Sequence, residues 1–316
     1  MLIRYGYDFT ICCAQETALV TMVSARPEHR AELVGDEHHR TDPDLLAQVY
    51  TDMFGNSCRR LLAPAGRLRL QGGGLIRATG LTDPRAVRAK EHPIGDLPDE
   101  ALVYLLGSRY CETDLLAPVA WSLFGHIEPG WHRVQAIVDH VHAHVRFSYA
   151  DASPTRSAHQ TWVEGRGVCR DFAHLAIAFC RCLNIPARYV NGHLGDIGVA
   201  FNPDPMDYAA WIEVYLGGAW HVFDPRNNAR RIGRITIARG RDAADVPMLM
   251  TFGAHRLEQF IVITDEVEVA EVGGEKAPAS DGSDCARRGG MVPKAMPGGN
   301  PPPEQTLRQV GSSLRI

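Results

Sequence analysis

Residues 164–193 read EGRGVCRDFAHLAIAFCRCLNIPARYVNGH, and residues 209–228 read AAWIEVYLGGAWHVFDPRNN. In the first stretch the glycine-rich turn Glu164-Gly165-Arg166-Gly167 precedes Phe172, Leu175, Ala176, Phe179 and Leu183, which fall at helical spacing. The spacing predicts a helix over 169–183. Asn184-Ile185-Pro186 ends it, because proline cannot continue a helix and disfavours the helical state for the residue before it. Strands are predicted next at 187–193, 209–216 and 219–224, the last two joined by the hairpin signal Gly217-Gly218. Further strands are expected near 233–238 and 258–270. One apolar helix followed by antiparallel strands defines an α+β unit.

This layout puts Cys169 in the first turn of the helix. The thiolate is the nucleophilic form of cysteine, and unsatisfied N–H groups with the helix dipole favour negative charge there. Gly165 and Gly167 let the backbone turn sharply and bring the helix start toward a substrate, where the Cys169 amide can donate to an oxyanion. Arg166 and Arg170 add positive charge nearby. The competing reading is a buried thiol packed as a small hydrophobe. That reading suits the other cysteines, at 12, 13, 58, 111, 180, 182 and 285, which show no zinc-knuckle or redox-pair spacing.

Three blocks, EGRGVCRDFAH, IPARYVNGH and AAWIEVYLGGAWHVFDPRNN, resemble in order the core of bacterial transglutaminase-like superfamily proteins, over about 65 residues. The resemblance implies a papain-like core, in which a Cys-bearing helix packs on an antiparallel sheet that carries a histidine and an aspartate. It matches Cys169 to the nucleophile and Asp224, in Phe223-Asp224-Pro225, to the acid that orients the histidine. The family's histidine falls in a His-Ala-Trp block, and here that block reads Ala209-Ala210-Trp211. Alanine cannot take the thiol proton, hold the thiolate as an ion pair or protonate the leaving amine.

Three explanations follow. Another histidine substitutes, and His193, at the end of the neighbouring strand, ranks above His221, which alternation turns to the face opposite Asp224. Alternatively, the fold has become a non-catalytic module that binds a peptide or protein in the same cleft. In the third, Ala209 is an engineered knock-out. The expected function is thiol-dependent acyl chemistry on amide or peptide bonds, by hydrolysis or transfer through a Cys thioester. Trp211, beside the site, is a candidate to exclude water or simply a core aromatic, and Arg170 is a second substrate-binding candidate. No cofactor or metal is implied.

Outward from this core, residues 1–95 read as a β-rich, sandwich-like domain, similar to the extra domain that bacterial members carry. Strand-like runs at 2–13, 19–25, 45–53, 57–63 and 67–79 are separated by turns such as Phe54-Gly55-Asn56. Residues 96–270 form a helical connection and the catalytic-type domain, with helices expected from Pro98 to about Ser108, over 114–124 and after Pro129. Beyond residue 271 the chain turns Gly/Pro-rich and reads as a disordered tail.

The remaining signals are weaker. His140 and His144 lie on one helical face, a solvated face being the favoured reading over a metal site. His174 lies well around the helix from Cys169 and reads as structural. Gly72-Gly73-Gly74 reads as a bend, and Asp242 and Asp245 as an acidic turn. The chain has 316 residues, 45% hydrophobic and 22% charged, with a net charge of -4. That suits a two-domain globular protein and leaves no footprint for nucleic acid or an anionic membrane. The N-terminus has no export-signal pattern, so the expectation is the cytoplasm, with a peptide or protein substrate and no membrane partner.

Overall fold

The computed structural model describes residues 1–200, 206–268 and 313–314. Apolar alternation along the N-terminus produces one long strand, β1 (Leu2–Cys13), followed by β2 (Thr17–Thr21), β3 (His38–Asp42), β4 (Gln48–Thr51), β5 (Ser57–Ala63) and β6 (Gly66–Arg77). The middle of the chain forms α1 (Asp99–Leu102), α2 (Thr113–Phe124), α3 (Trp131–His144), β7 (Arg146–Phe147), α4 (Ala158–Glu164), β8 (Arg166–Gly167) and α5 (Cys169–Cys182). Strands β9 (Ala187–His193), β10 (Ala209–Leu216), β11 (Ala219–Phe223), β12 (Ile235–Gly240), β13 (Leu249–Thr251), β14 (His255–Val267) and β15 (Ser313–Leu314) follow.

Two antiparallel sheets, ordered β14-β1-β6-β3 and β15-β13-β2-β5-β4, make the sandwich. A third, ordered β11-β10-β9-β12, carries α5. The core is thus α+β with a β-rich partner domain, as the sequence pattern requires. The domain boundary is not where composition places it. Residues 249–267, expected to belong to the second unit, return to the first. Strand β14 pairs with β1 from Leu2↔Val267 to Cys13↔His255, and β13 pairs with β2. An edge strand as long as β1 leaves a row of unpaired backbone groups, and the returning chain covers it.

Helix α5 is the central element. Every residue from Arg170 to Cys182 is buried, packed by α2, α3 and α4 on one side and by β9 and β10 on the other. Leu175, Ile177 and Phe179 are fully enclosed, each worth about 1.5–3 kcal/mol of hydrophobic burial. Two buried polar residues on this helix hold distant segments. The Arg181 guanidinium donates to the carbonyls of Leu106, Ala187 and Arg241, at 2.6–3.1 Å. His174 stacks on Tyr110 with ring centres 5.0 Å apart, and its Nε2 accepts from the Ala243 amide at 3.1 Å. It is therefore structural, as its helical angle suggested, and it anchors the acidic turn at 242–245.

The expected helix from Pro98 is shorter, with α1 passing into a 3-10 turn over Val103–Leu105. Strand β3 and helix α4 carry too few periodic apolar residues to be read from sequence. Gly72-Gly73-Gly74 is not a bend. It lies within β6 opposite Tyr5, Gly6 and Tyr7. Gly73 has φ of 156°, and a Cβ there would run into the Tyr5 carbonyl and the Gly6 Cα. The disordered-tail expectation falls on residues outside those described, except 313–314, which pair with β13. Gly73→Ala should lower unfolding stability by about 2 kcal/mol or more, read by chemical denaturation, because the clashing atoms are backbone; an unchanged midpoint would contradict this packing.

Candidate active site

The start of α5 is built by its own sequence. Gly165 closes α4 in the left-handed region, with φ of 60°, and Gly167 lies so close to Asp171 that a Cβ would sit 2.7 Å from the Asp171 Cβ. The Asp171 carboxylate accepts from the Val168 amide at 2.9 Å, capping the helix, and is held by Arg156 and Arg170 at 3.4 and 3.0 Å. Cys169 occupies the first helical position, and the Ala210 amide on β10 donates to its sulfur. Its own amide belongs to the first turn, which has no intrahelical acceptor.

Cys169 keeps partial exposure on the wall of a cleft of about 680 Å³. Phe147, Asp207, Ala209, Ala210, Arg226 and Arg231 line the same cleft. Burial pushes the Cys169 thiol up to about 12, and the Asp207 carboxylate adds to the rise, while Arg226 opposes it. The resting group is thus a thiol and not a thiolate. Arg226 lies over the Phe147 ring at 4.1 Å, and its carbonyl accepts from His142 Nδ1 at 3.0 Å. Asp207 sits two residues before Ala209. Its Oδ1 accepts from the Tyr208 amide at 2.7 Å, and burial raises its carboxyl to about 6.

Cys169 is thus where the sequence places it, and Ala209 is beside it. The other candidates are elsewhere. His193 does not line the cleft. Its ring is fully buried against Tyr5 and Tyr208, with centres 5.2 and 4.7 Å away, and its Nδ1 meets Thr264 Oγ1 at 3.0 Å. Burial lowers it to about 3, so it stays neutral and packs the interface with the sandwich. The reason is the returning strand β14: it brings Thr264 onto the end of β9 and seals that imidazole in. His221 is tied to the Leu216 carbonyl at 3.1 Å and packs against Trp131. No histidine lines the cleft among the described residues.

Among the described residues Asp224 has no imidazole partner. It accepts from the backbone and side chain of Asn227, each at 2.8 Å, and from Arg234 at 2.8 Å, and it lines a separate hollow. Arg234 also pairs with Asp83 at 3.0 Å and lies over Trp211 at 4.9 Å. Trp211 is fully buried and Arg170 is 1% exposed, so neither reaches a substrate from the cleft wall. Arg170 is drawn inward by Asp171 and by the Ser153 carbonyl. His140 and His144 stack with Trp162, and no group of three metal-ligating residues occurs among the described residues. Asp207, two residues before Ala209 in MDYAA, lines the cleft and is not singled out by the sequence pattern.

Residues 122–225 match the family model of the transglutaminase-like superfamily. A curated protein from Mycobacterium leprae is 37% identical over 107 residues, which is 31% of this chain and 38% of that protein. One from Mycobacterium tuberculosis is 36% identical over 119 residues, 33% of this chain and 36% of its own length. The matches thus span little more than a third of these curated relatives. A crystal structure of a candidate cysteine protease from Cytophaga hutchinsonii superposes with a TM-score of 0.74 at 28% identity, covering 90% of this chain and 95% of that one. With the helix-borne cysteine on an antiparallel sheet, these matches identify residues 122–225 as a transglutaminase-like superfamily domain.

Two consequences are measurable. Asp224→Ala should cost about 3 kcal/mol in denaturant unfolding, because it strips a buried carboxylate from Arg234 and Asn227; a loss below about 0.5 kcal/mol would show that the pairing contributes little to stability. His193→Ala should leave the alkylation rate of Cys169 within about twofold while lowering the melting temperature. The wild type should also lose stability as pH falls from 6.5 toward about 3, where the unfolded imidazole takes a proton that the folded one refuses. A sharp fall in Cys169 alkylation in the His193 variant would restore the substituted-histidine explanation.

Proposed function

We propose that the Cys169 cleft performs thiol-dependent acyl chemistry on an amide or peptide bond, passing through a Cys thioester that water or an amine then resolves. The observation that carries this reading is the placement of Cys169 in the first turn of a rigid, buried helix, facing an open cleft. A nucleophile there has a donor for the developing oxyanion in its own backbone amide. The likeness to the Cytophaga hutchinsonii structure supports the same class. The substrate is a peptide or protein, and the location proposed is the cytoplasm. No helix among the described residues is long and apolar enough to cross a membrane.

A second reading, a catalytically silent protein that binds a peptide in the same cleft, is favoured by one specific observation. Asp224 is fully engaged by Asn227 and Arg234, and Ala209 supplies no base. Incubation with p-nitrophenyl acetate separates the two. Acyl chemistry requires an acetyl adduct on the Cys169 peptide, seen by mass spectrometry, that is absent in Cys169→Ala and forms and decays faster than on a free cysteine peptide. No adduct above the free-peptide rate would leave the binding reading.

A further inference from the structure

Where the resemblance expects a histidine the chain has Ala209, and no imidazole lines the cleft among the described residues, but a proton acceptor does. Asp207 lines the cleft that Cys169 lines, and it is the acid whose charge acts most strongly on that thiol. It precedes Ala209 by two residues. Asp207 and Ala209 both line the cleft, so the Asp207 carboxylate stands beside the position that the resemblance gives to histidine. One carboxylate oxygen is fixed by the Tyr208 amide, at 2.7 Å, and the other has no hydrogen-bond partner among the described residues. Tyr208 is itself wedged against His193 and Phe9, which anchors the segment to the sandwich domain.

We propose that Asp207 is the catalytic general base for Cys169, acting from the cleft wall beside Ala209. The inference rests on the thiol-acyl reading above. Addition would run from the neutral thiol. As the sulfur–carbon bond forms, the thiol proton passes to Asp207 and the carbonyl electron pair moves to oxygen, where the Cys169 amide receives it. On collapse the same proton goes to the leaving amine nitrogen, the carbon–nitrogen bond breaks, and the thioester remains. Water or an amine then attacks, Asp207 takes its proton, and the thiol leaves as its proton is returned.

A base with a proton affinity near that of histidine suits this role at neutral pH, and burial gives Asp207 a pKa of about 6. The other ionisable groups facing the pair are Tyr149, Asp196, Tyr208, Arg226 and Arg231 on the cleft wall, with Asp171 and Tyr189 behind the cysteine. None is a histidine, the side chain that ordinarily titrates in this range.

Asp207→Asn provides a test in which two readouts move in opposite directions. Acetylation of Cys169 by p-nitrophenyl acetate at pH 7 should fall by about 100-fold or more, because the proton acceptor is gone. Iodoacetamide alkylation at pH 8 should rise several-fold instead, because the thiolate is no longer opposed by the Asp207 charge. Asp207→Glu should recover part of the acetylation. In the wild type, acetylation should rise through about pH 6 to a plateau. That profile needs no variant, and it decides the matter if the substitution fails to fold. Acetylation within threefold of wild type in Asp207→Asn, or a wild-type rate that climbs only with the thiolate above pH 9, would overturn the role of Asp207. Wild-type acetylation of Cys169 no faster than that of a free cysteine peptide would overturn the thiol-acyl reading, and the base with it.

Discussion

The structure depends on the burial of α5. A helix enclosed on all sides has one fixed axis, so its first residue has a fixed place at the cleft wall. Asp171 reinforces this from within the first turn, capping the Val168 amide while two arginines neutralise it. A buried carboxylate with that many partners is costly to break and specifies one geometry. The position of Cys169 is therefore set by packing around it, and it does not require the rest of a catalytic triad.

That independence explains how Cys169 keeps its place beside Ala209. Asp224 has partners of its own in Asn227 and Arg234, and Arg234 also holds Asp83 and covers Trp211. The acid contributes to the fold whether or not an imidazole is present. The electrostatics of the cleft are correspondingly different from those of a thiolate–imidazolium pair. The thiol is held protonated by burial, and Asp207, raised to about 6, is the group whose charge changes near neutrality.

The sandwich domain is not a passive neighbour. By returning β13 and β14 to the N-terminal sheets, the chain joins the two units through more than a linker. Tyr5, on β1, and Thr264, on β14, enclose His193, and Phe9 meets Tyr208 beside Asp207. The entry to β10, and so the geometry of the cleft, is supported from the other domain.

Local pattern determined much of this protein: the helix over 169–182, its stop at Pro186, the hairpin at Gly217-Gly218 and the first-turn place of Cys169 follow from periodicity and turn chemistry, which act within a few residues. The departure at Ala209 was legible for the same reason. The roles of His193, Trp211, Arg170 and Asp224 were not, because each depends on contacts made outside its own helix or strand. His193 is sealed by a strand 71 residues further on, Arg170 is drawn inward by the carbonyl of Ser153, and Asp224 is claimed by Arg234. Local spacing places a side chain on an element. Only the tertiary structure decides what that side chain meets, because burial and charge pairing are set by neighbours far away in the chain.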